Sequence, residues 1–285
     1  MKKNVLIFFA AAVIFAIVFA ASLFFADRKY EFPIETDKMN ILVMGDSIME
    51  NNLDGNNISM LLNNYLEADV IDCAIGGSTA VNMNTDKELD YYMDRFNFYN
   101  MSNILLNGNL TTVYDNEYVT DNIISDAVKK AKYLAYTDLD KCDYLIIQYG
   151  MNDSTAGIGA ASDDRYDPTT FGGVMRTGIE QIHNEHPDLK IIVNTVTYAH
   201  IEYEIGGKLV VVDTKDNGIM DAYNEELKSI AEDYDNVNLF DVSRVLDINK
   251  NNYRDYLVDG IHLNSSAKKI FAESLADYLR ELENE

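Results

Sequence analysis

Five short apolar runs, separated by stretches with helical periodicity, constrain the fold of this chain more than any other feature. The apolar runs cover residues 39–44, 68–75, 144–149, 190–196 and 237–242, and helical patterns cover 48–65, 123–136, 170–186, 219–234 and 264–282. Short apolar strands that alternate with helices are typical of a parallel sheet covered on both faces. We therefore predict an α/β fold whose ligands bind at the carboxyl ends of the strands.

The composition supports a full hydrophobic core and disfavours nucleic acid as a partner. Hydrophobic residues make up 47% of the 285 positions, so the core needs no metal or disulfide to stabilise it. The formal net charge of −24 repels phosphate backbones, and we expect no nucleic-acid binding. Cys73 and Cys142 lie in strand-like apolar stretches, which favours two buried free thiols over a disulfide.

The N-terminus predicts attachment to a membrane. Lys2 and Lys3 precede the uncharged, apolar residues 5–26, a length that spans about 33 Å as a helix and crosses a hydrocarbon core of about 30 Å. We expect an anchor within residues 1–26, a polar linker over 27–38 and an extracytoplasmic domain over 39–285. A signal peptide cleaved at the small residues 20–22 is the alternative.

Four short motifs carry the chemistry of the chain. Each one lies where an apolar run ends or a helical pattern begins, and the first three can therefore converge at one edge of the sheet. Together they supply a nucleophile, a base, a group that orients the base and donors for an oxyanion, which indicates ester hydrolysis or acyl transfer by serine. The motifs are Gly45-Asp46-Ser47, Gly76-Gly77, Gly150-Met151-Asn152-Asp153 and Asp259-Gly260-Ile261-His262.

Ser47 is the predicted nucleophile, and Asp259 and His262 are its predicted partners. Ser47 follows a strand through a tight turn and begins a helical pattern, which exposes its hydroxyl at the sheet edge; a serine that only caps the helix is the alternative. Asp259 and His262 stand three positions apart, so the carboxylate can reach Nδ1 and leave Nε2 to accept the serine proton. We expect Asp46 to bond backbone amides within the turn.

Three donors are predicted to stabilise the oxyanion. These are the side-chain amide of Asn152 and the backbone N–H groups of Ser47 and Gly77. An Asn-Asp turn and a plain strand-to-helix turn are the alternatives for the motifs that carry Asn152 and Gly77. A phosphate-binding loop is disfavoured at Gly76-Gly77 because the lysine and the spacing of that motif are missing.

The four motifs, in this order, resemble those of the SGNH or GDSL hydrolase family. The resemblance covers residues 40–280 and implies a flavodoxin-like three-layer α/β/α fold in which Ser47, Gly77, Asn152 and His262 are the family's four central residues. It implies Asn152 and Gly77 as oxyanion donors. The chain departs from the family pattern at Ile48, where leucine is usual, and at Asp72, where asparagine is common.

Two segments are predicted to be insertions into this fold. Residues 82–122 are rich in Asn, Tyr and Asp but contain enough apolar residues to be ordered, and we expect a lid or a wall beside the site. Residues 201–217 have Gly206-Gly207 between Tyr-rich and Val-rich flanks, which predicts a β-hairpin.

No metal or cofactor is expected. His183 and His186 do not have the spacing of a metalloprotease helix, and residues 213–218 lack the alternating carboxylates of a calcium loop. The motifs, the N-terminus and the family resemblance favour an extracytoplasmic, membrane-anchored serine esterase that removes acyl groups, acetyl above all, from carbohydrate. The expected partner is an acylated small molecule or polysaccharide. A lipase or lysophospholipase, an O-acyltransferase acting on polysaccharide, and a non-catalytic sugar-binding or assembly protein at the cell surface are the alternatives.

Overall fold

In a computed structural model, the five apolar runs form one parallel sheet. The structure describes residues 37–50, 55–83, 92–114 and 122–284. The strands are β1 (Asn40–Gly45), β2 (Asp69–Asp72), β3 (Tyr144–Gln148), β4 (Lys190–Asn194), β5 (His200–Ile205), β6 (Lys208–Asp213) and β7 (Val237–Phe240). The main sheet has the order β2-β1-β3-β4-β7, with every neighbouring pair parallel. The prediction of an α/β fold with a central parallel sheet is confirmed.

The sheet order places the crevice for a ligand between β1 and β3. When only the strands of this sheet are counted, their order is 2-1-3-4-5, which is the order of flavodoxin-like folds. The chain leaves β1 towards β2 on one side and returns to β3 on the other side. Such a switch point opens a crevice at the carboxyl ends of the two central strands, which is where ligands bind in open α/β sheets.

The helices connect the strands, and several of them pack together in two groups. In chain order they are α1 (Ser47–Glu50), α2 (Ile58–Leu66), α3 (Phe98–Asn107), α4 (Thr111–Tyr114), α5 (Asn122–Tyr136), α6 (Met151–Thr155), α7 (Phe171–Glu185), α8 (Ile219–Asp233), α9 (Val242–Leu246), α10 (Tyr253–Tyr256) and α11 (Ser265–Leu282), with 3-10 turns at Tyr92–Phe96 and Leu139–Lys141. Helices α2, α9 and α11 pack together, and so do α3, α5, α7 and α8. Right-handed crossovers put α2 and α5 on opposite faces of the sheet, because β2 and β3 lie on opposite sides of β1.

The core lies on both sides of β1 and β3, whose residues are all buried. Cys73 and Cys142 are buried and free, as predicted. Burial raises the pKa of both thiols, so neither is a nucleophile at neutral pH.

Helix boundaries follow from local capping. The helical pattern over 48–65 is predicted to be interrupted by a turn at 54–57, and the structure divides it into α1 and α2. Asn57 caps the second helix by accepting the N–H of Met60 at 2.8 Å. The last helix begins after Asn264, whose side chain accepts the N–H groups of Ser266 and Ala267.

The two predicted insertions differ in outcome. Helix α3 packs against α5 and α7 with Phe98 and Met101 fully buried, so this part of the segment 82–122 is a core helix, and the lid or wall beside the site stays a prediction. The physical reason is that its apolar residues lie on one helical face and that face completes the helical layer. The predicted hairpin is confirmed: β5 and β6 pair antiparallel around Gly206 and Gly207, which both have positive φ as a two-residue hairpin turn requires.

The predicted membrane segment at residues 5–26 lies outside the described residues. Within the described ranges, no helix combines the length and the apolar character that crossing a bilayer requires.

Candidate active site

Ser47 lies at the switch point of the sheet, directly after the end of β1. The N–H of Asp46 donates to the carbonyl of Gln148 at the end of β3, which ties the turn to the neighbouring strand at 3.0 Å. The carboxylate of Asp46 is fully buried and accepts the N–H of Ile48 at 2.9 Å, so the predicted structural role of Asp46 is confirmed. Ser47 opens α1 and is half-buried, which leaves its hydroxyl at the edge of the crevice.

Ser47, His262 and Asp259 form one continuous line of hydrogen bonds. The Nε2 atom of His262 lies 2.9 Å from Oγ of Ser47, and Nδ1 lies 2.7 Å from Oδ2 of Asp259. The structure therefore brings together the three residues that the sequence predicted to act together. Nδ1 carries the proton that bonds to the carboxylate in this arrangement, which leaves Nε2 as the acceptor towards the serine hydroxyl.

Asp259 also shapes the loop that carries His262. Its Oδ1 atom accepts the N–H groups of Ile261 and His262 at 3.0 and 2.8 Å. Leu257 and Leu263 form a β-bridge that closes the loop at its base. Burial alone would raise the pKa of Asp259, but its hydrogen bonds with His262 and Ile261 lower the pKa overall. Asp259 is therefore an anion that accepts and does not donate.

The second motif lies beside Ser47 and is held by two charged side chains. A Cβ atom placed on Gly76 would lie 3.5 Å from Cβ of Ser47, which shows how closely the two motifs approach. Glu50, one turn after Ser47, accepts the N–H of Gly76 at 2.5 Å. Lys130 donates to Glu50 at 2.5 Å and to the carbonyl of Ala74 at 2.6 Å. The loop that contains Gly77 is thus fixed from both the nucleophile helix and α5.

The third motif joins the second through Asn152. Gly150 has φ +117°, and a Cβ there would lie 2.7 Å from Cγ2 of Val196, so the turn out of β3 requires glycine. The Nδ2 atom of Asn152 donates to the carbonyl of Ser78 at 2.8 Å, which places the amide next to the loop of the second motif. An amide nitrogen carries two protons, and this bond uses one of them.

Asp46 and Asp153 are buried carboxylates beneath the site. Asp153 accepts the N–H groups of Ala80 at 2.9 Å and Val81 at 3.0 Å and so holds the chain that follows the second motif. Burial raises the pKa of Asp46 to about 7 and that of Asp153 to about 6, although backbone hydrogen bonds counteract part of the effect. Both residues support the loops around Ser47, and burial favours the neutral form of each carboxyl.

Sequence reasoning missed Glu50, Lys130 and Asp153 as supports of the site. The signal for Asp153 was present, because it directly follows Asn152 in the third motif. Glu50 stands three residues after Ser47 and hence on the same side of a helix, but its acceptor role needs the Gly76 loop beside it. Lys130 lies 80 residues away in α5, and no local pattern indicates its contact with Glu50.

The other candidates from the sequence have structural partners. His183 contacts Asn236 and His186 contacts Asp140, so the two imidazoles do not share a ligand. Asp213 accepts the N–H groups of Lys215 and Asp216, which makes the segment after β6 a turn. Across the described ranges, no cluster of three or more His, Cys, Asp or Glu residues is arranged to hold a metal ion.

Asp72, where the family commonly has asparagine, accepts the side-chain amide of Asn57 at 2.8 Å and the N–H of Ala74 at 3.0 Å.

Comparison with known proteins agrees with this fold. The family model described as GDSL-like Lipase/Acylhydrolase matches residues 43–270. Among solved structures, a protein from Lactobacillus plantarum is 16% identical, with a TM-score of 0.56, over 86% of this chain and 97% of that chain. A GDSL-like lipase from Bacteroides thetaiotaomicron is 13% identical, with a TM-score of 0.51, over 90% of this chain and 96% of that chain. A search of curated proteins returned no match.

The class of the protein follows from these observations: it is an enzyme that hydrolyses esters. The family match covers most of the chain, and the chain belongs to the GDSL-like lipase/acylhydrolase family. The likeness to the solved structures, at these identities, is a likeness of fold.

Proposed function

We propose that this chain is an extracytoplasmic serine esterase that removes acetyl groups from carbohydrate. The observation that carries the catalytic part is the line of hydrogen bonds from Asp259 through His262 to Ser47. Ser47 Oγ attacks the ester carbonyl while Nε2 of His262 accepts its proton. The same proton passes to the leaving alcohol, and water then hydrolyses the acyl-enzyme by the reverse sequence. Asp259 keeps the proton on Nδ1 and stabilises the imidazolium.

The oxyanion of each tetrahedral intermediate is stabilised by three donors in this proposal. They are the backbone N–H groups of Ser47 and Gly77 and the second amide proton of Asn152. Support comes from the contacts between the motifs: Gly76 lies against Ser47, and Asn152 donates to Ser78, so the three donors belong to loops that touch one another. Donors held by such contacts need little reorganisation when the negative charge develops.

The location and the substrate are supported by the N-terminal sequence and by the net charge. The apolar residues 5–26 after Lys2 and Lys3 favour an anchored domain outside the cytoplasm. The net charge of −24 disfavours anionic lipid headgroups and is compatible with a neutral sugar ester. The membrane is a partner only through the N-terminal segment in this proposal.

A second candidate is a lipase-type enzyme that accepts long acyl chains. Val258, next to Asp259 in the catalytic loop, is 66% exposed. An exposed apolar side chain beside the catalytic residues suits an acyl chain, which gains free energy from contact with it.

The test compares the full chain, purified in detergent, with Ser47→Ala and with the control Ser162→Ala, a serine on an exposed loop. We expect Ser47→Ala to lose about 10³-fold or more of kcat on p-nitrophenyl acetate and to lose labelling by a fluorophosphonate, while the control keeps both. Acetate release from acetylated sugars, measured against octanoyl and palmitoyl esters, separates the two candidates. Full activity in Ser47→Ala would reject the nucleophile, and a strong preference for long chains would reject the carbohydrate ester.

A further inference from the structure

The β5–β6 hairpin touches the loop that carries Asp259 and His262. The N–H of His200, the first residue of β5, donates to the carbonyl of Gly260 at 2.8 Å. Gly260 has φ +89°, and a Cβ placed on it would lie 2.1 Å from the carbonyl oxygen of His200. Backbone therefore packs directly on backbone at this point. Gly260 is buried although its neighbour Asp259 is exposed, because the base of the hairpin covers it.

The side chain of His200 is fixed on both of its nitrogens. Nδ1 lies 3.0 Å from Oδ2 of Asp213, the register partner of His200 across the hairpin, and Nε2 lies 3.2 Å from Oε1 of Glu202. The hydroxyl of Tyr198 donates to the same oxygen of Asp213. The imidazole thus joins the two strands at the base of the hairpin and contacts Tyr198 in the segment between β4 and β5.

The His200 ring also reaches the helix that leads into the loop. It stacks on Tyr253 with ring centroids 4.3 Å apart and an angle of 24° between the planes. Tyr253 begins α10, and its carbonyl accepts the N–H of Leu257 at 2.7 Å, where the loop starts. The hairpin therefore contacts the loop at its tip, through Gly260, and at its entrance, through Tyr253.

We propose that the hairpin positions the Asp259–His262 loop for proton transfer and that His200 is the positioning residue. This inference rests on the proposed function, since it concerns the same site. Within the loop, the bridge between Leu257 and Leu263 and the Asp259 side chain hold the backbone. A contact from outside limits the movement of His262 relative to Ser47, and displacements of about 1 Å are enough to slow an enzymatic step by about 10²-fold.

The test measures kcat and KM on p-nitrophenyl acetate for variants of the full chain. His200→Ala and Tyr253→Ala each remove one side of the stack, and we expect kcat to fall about 10- to 100-fold with KM changed less than about twofold. Tyr253→Phe keeps the ring and is expected to restore the wild-type kcat. The double variant should lose no more than the more impaired single variant, because both substitutions remove the same contact. His186→Ala, a histidine paired with Asp140 elsewhere, is the matched control.

The outcomes separate this inference from the proposed function. If the wild-type chain neither hydrolyses the ester nor reacts with a fluorophosphonate, the proposed function fails. If the wild type is active and both alanine variants keep its kcat, or if KM rises while kcat is unchanged, the positioning role is overturned. A lower melting temperature with unchanged kcat also overturns it. If circular dichroism shows that His200→Ala does not fold, the difference in kcat between Tyr253→Ala and Tyr253→Phe tests the positioning role instead.

Discussion

The Nε2 atom of His262 lies 2.9 Å from the hydroxyl oxygen of Ser47, although 215 positions separate the two residues in the chain. Ser47 is placed by the end of β1 and His262 by a loop just before α11. Helix α11 packs against α2, which follows α1 in the chain, so the start of the last helix returns to the edge where the nucleophile lies. The parallel sheet and this helix pair together create the contact.

Asp259→Asn should impair catalysis much more than folding. The asparagine oxygen can still accept the N–H groups of Ile261 and His262, but its amide would face Nδ1 of His262 and favour the wrong tautomer. We expect kcat to fall by about 10²- to 10⁴-fold on p-nitrophenyl acetate. Asp140→Asn, which alters the other Asp–His contact, at His186, is the control and should keep the wild-type rate. Equal kcat in both variants would contradict the assignment.

Asn152→Ala should lower kcat by about 10²- to 10³-fold and leave KM nearly unchanged, because the missing amide would stabilise only the transition state. The substitution also removes the bond to the carbonyl of Ser78, so urea unfolding must accompany the kinetics. Asn184→Ala, on the exposed face of α7, serves as the control. A wild-type kcat in Asn152→Ala would contradict the assignment of Asn152 to the oxyanion hole.

Glu50→Ala and Lys130→Met should each reduce kcat about tenfold, because the first removes the acceptor of the Gly76 N–H and the second removes the cation that holds this acceptor in place. Their effects should not add, because both substitutions break the same network. Lys129→Met, at the exposed neighbouring position, is the control. Additive losses in the double variant would show that the two residues act separately.

Asp46→Asn should change how stability depends on pH. Burial raises the pKa of Asp46 to about 7, above the value near 3.9 of an unfolded aspartate, so the native state binds the extra proton between these values. Its stabilising contribution is complete below about pH 4 and is lost as the pH rises through about 7. Asparagine cannot ionise, and we expect the variant to gain about 2–4 kcal/mol relative to wild type between pH 4 and pH 8 in urea unfolding. A constant difference across this range would contradict the raised pKa.

Local patterns in the sequence were enough to predict the strands, the hairpin and the last helix cap. Val237–Phe240 and Tyr144–Gln148 occur close to their predicted bounds, because a short apolar run between helical stretches has few alternatives to a buried strand. Strand β2 ends earlier than predicted. Its last residue, Asp72, accepts the N–H of Ala74 in an Asx turn, although the N–H groups of Cys73 and Ile75 still donate to the carbonyls of Val43 and Gly45 in β1.

The position of helix α3 in the fold could not be predicted from local sequence patterns. Its apolar residues can be recognised in the sequence. Whether an apolar helix face covers a ligand or packs in the helical layer beside the sheet depends on which helices lie next to it. Phe98 packs so closely on Gly178 of α7 that a Cβ there would lie 2.6 Å from the Phe98 ring. Because Gly178 has no side chain, the Phe98 ring can pack against α7, and this contact makes α3 part of the core.

The amino-acid sequence alone determined which candidate catalytic groups this enzyme has. They are a serine after a strand and an Asp and a His three positions apart, with glycines where the backbone must turn. These features depend on interactions between residues close in the chain, and such interactions leave a periodic or spaced pattern. Tertiary structure alone decided that Glu50 bonds to Gly76, that Lys130 bonds to Glu50, and that His200 lies against Gly260. Contacts of this kind depend on how distant helices and loops pack around the sheet, and that packing imposes no pattern on neighbouring residues.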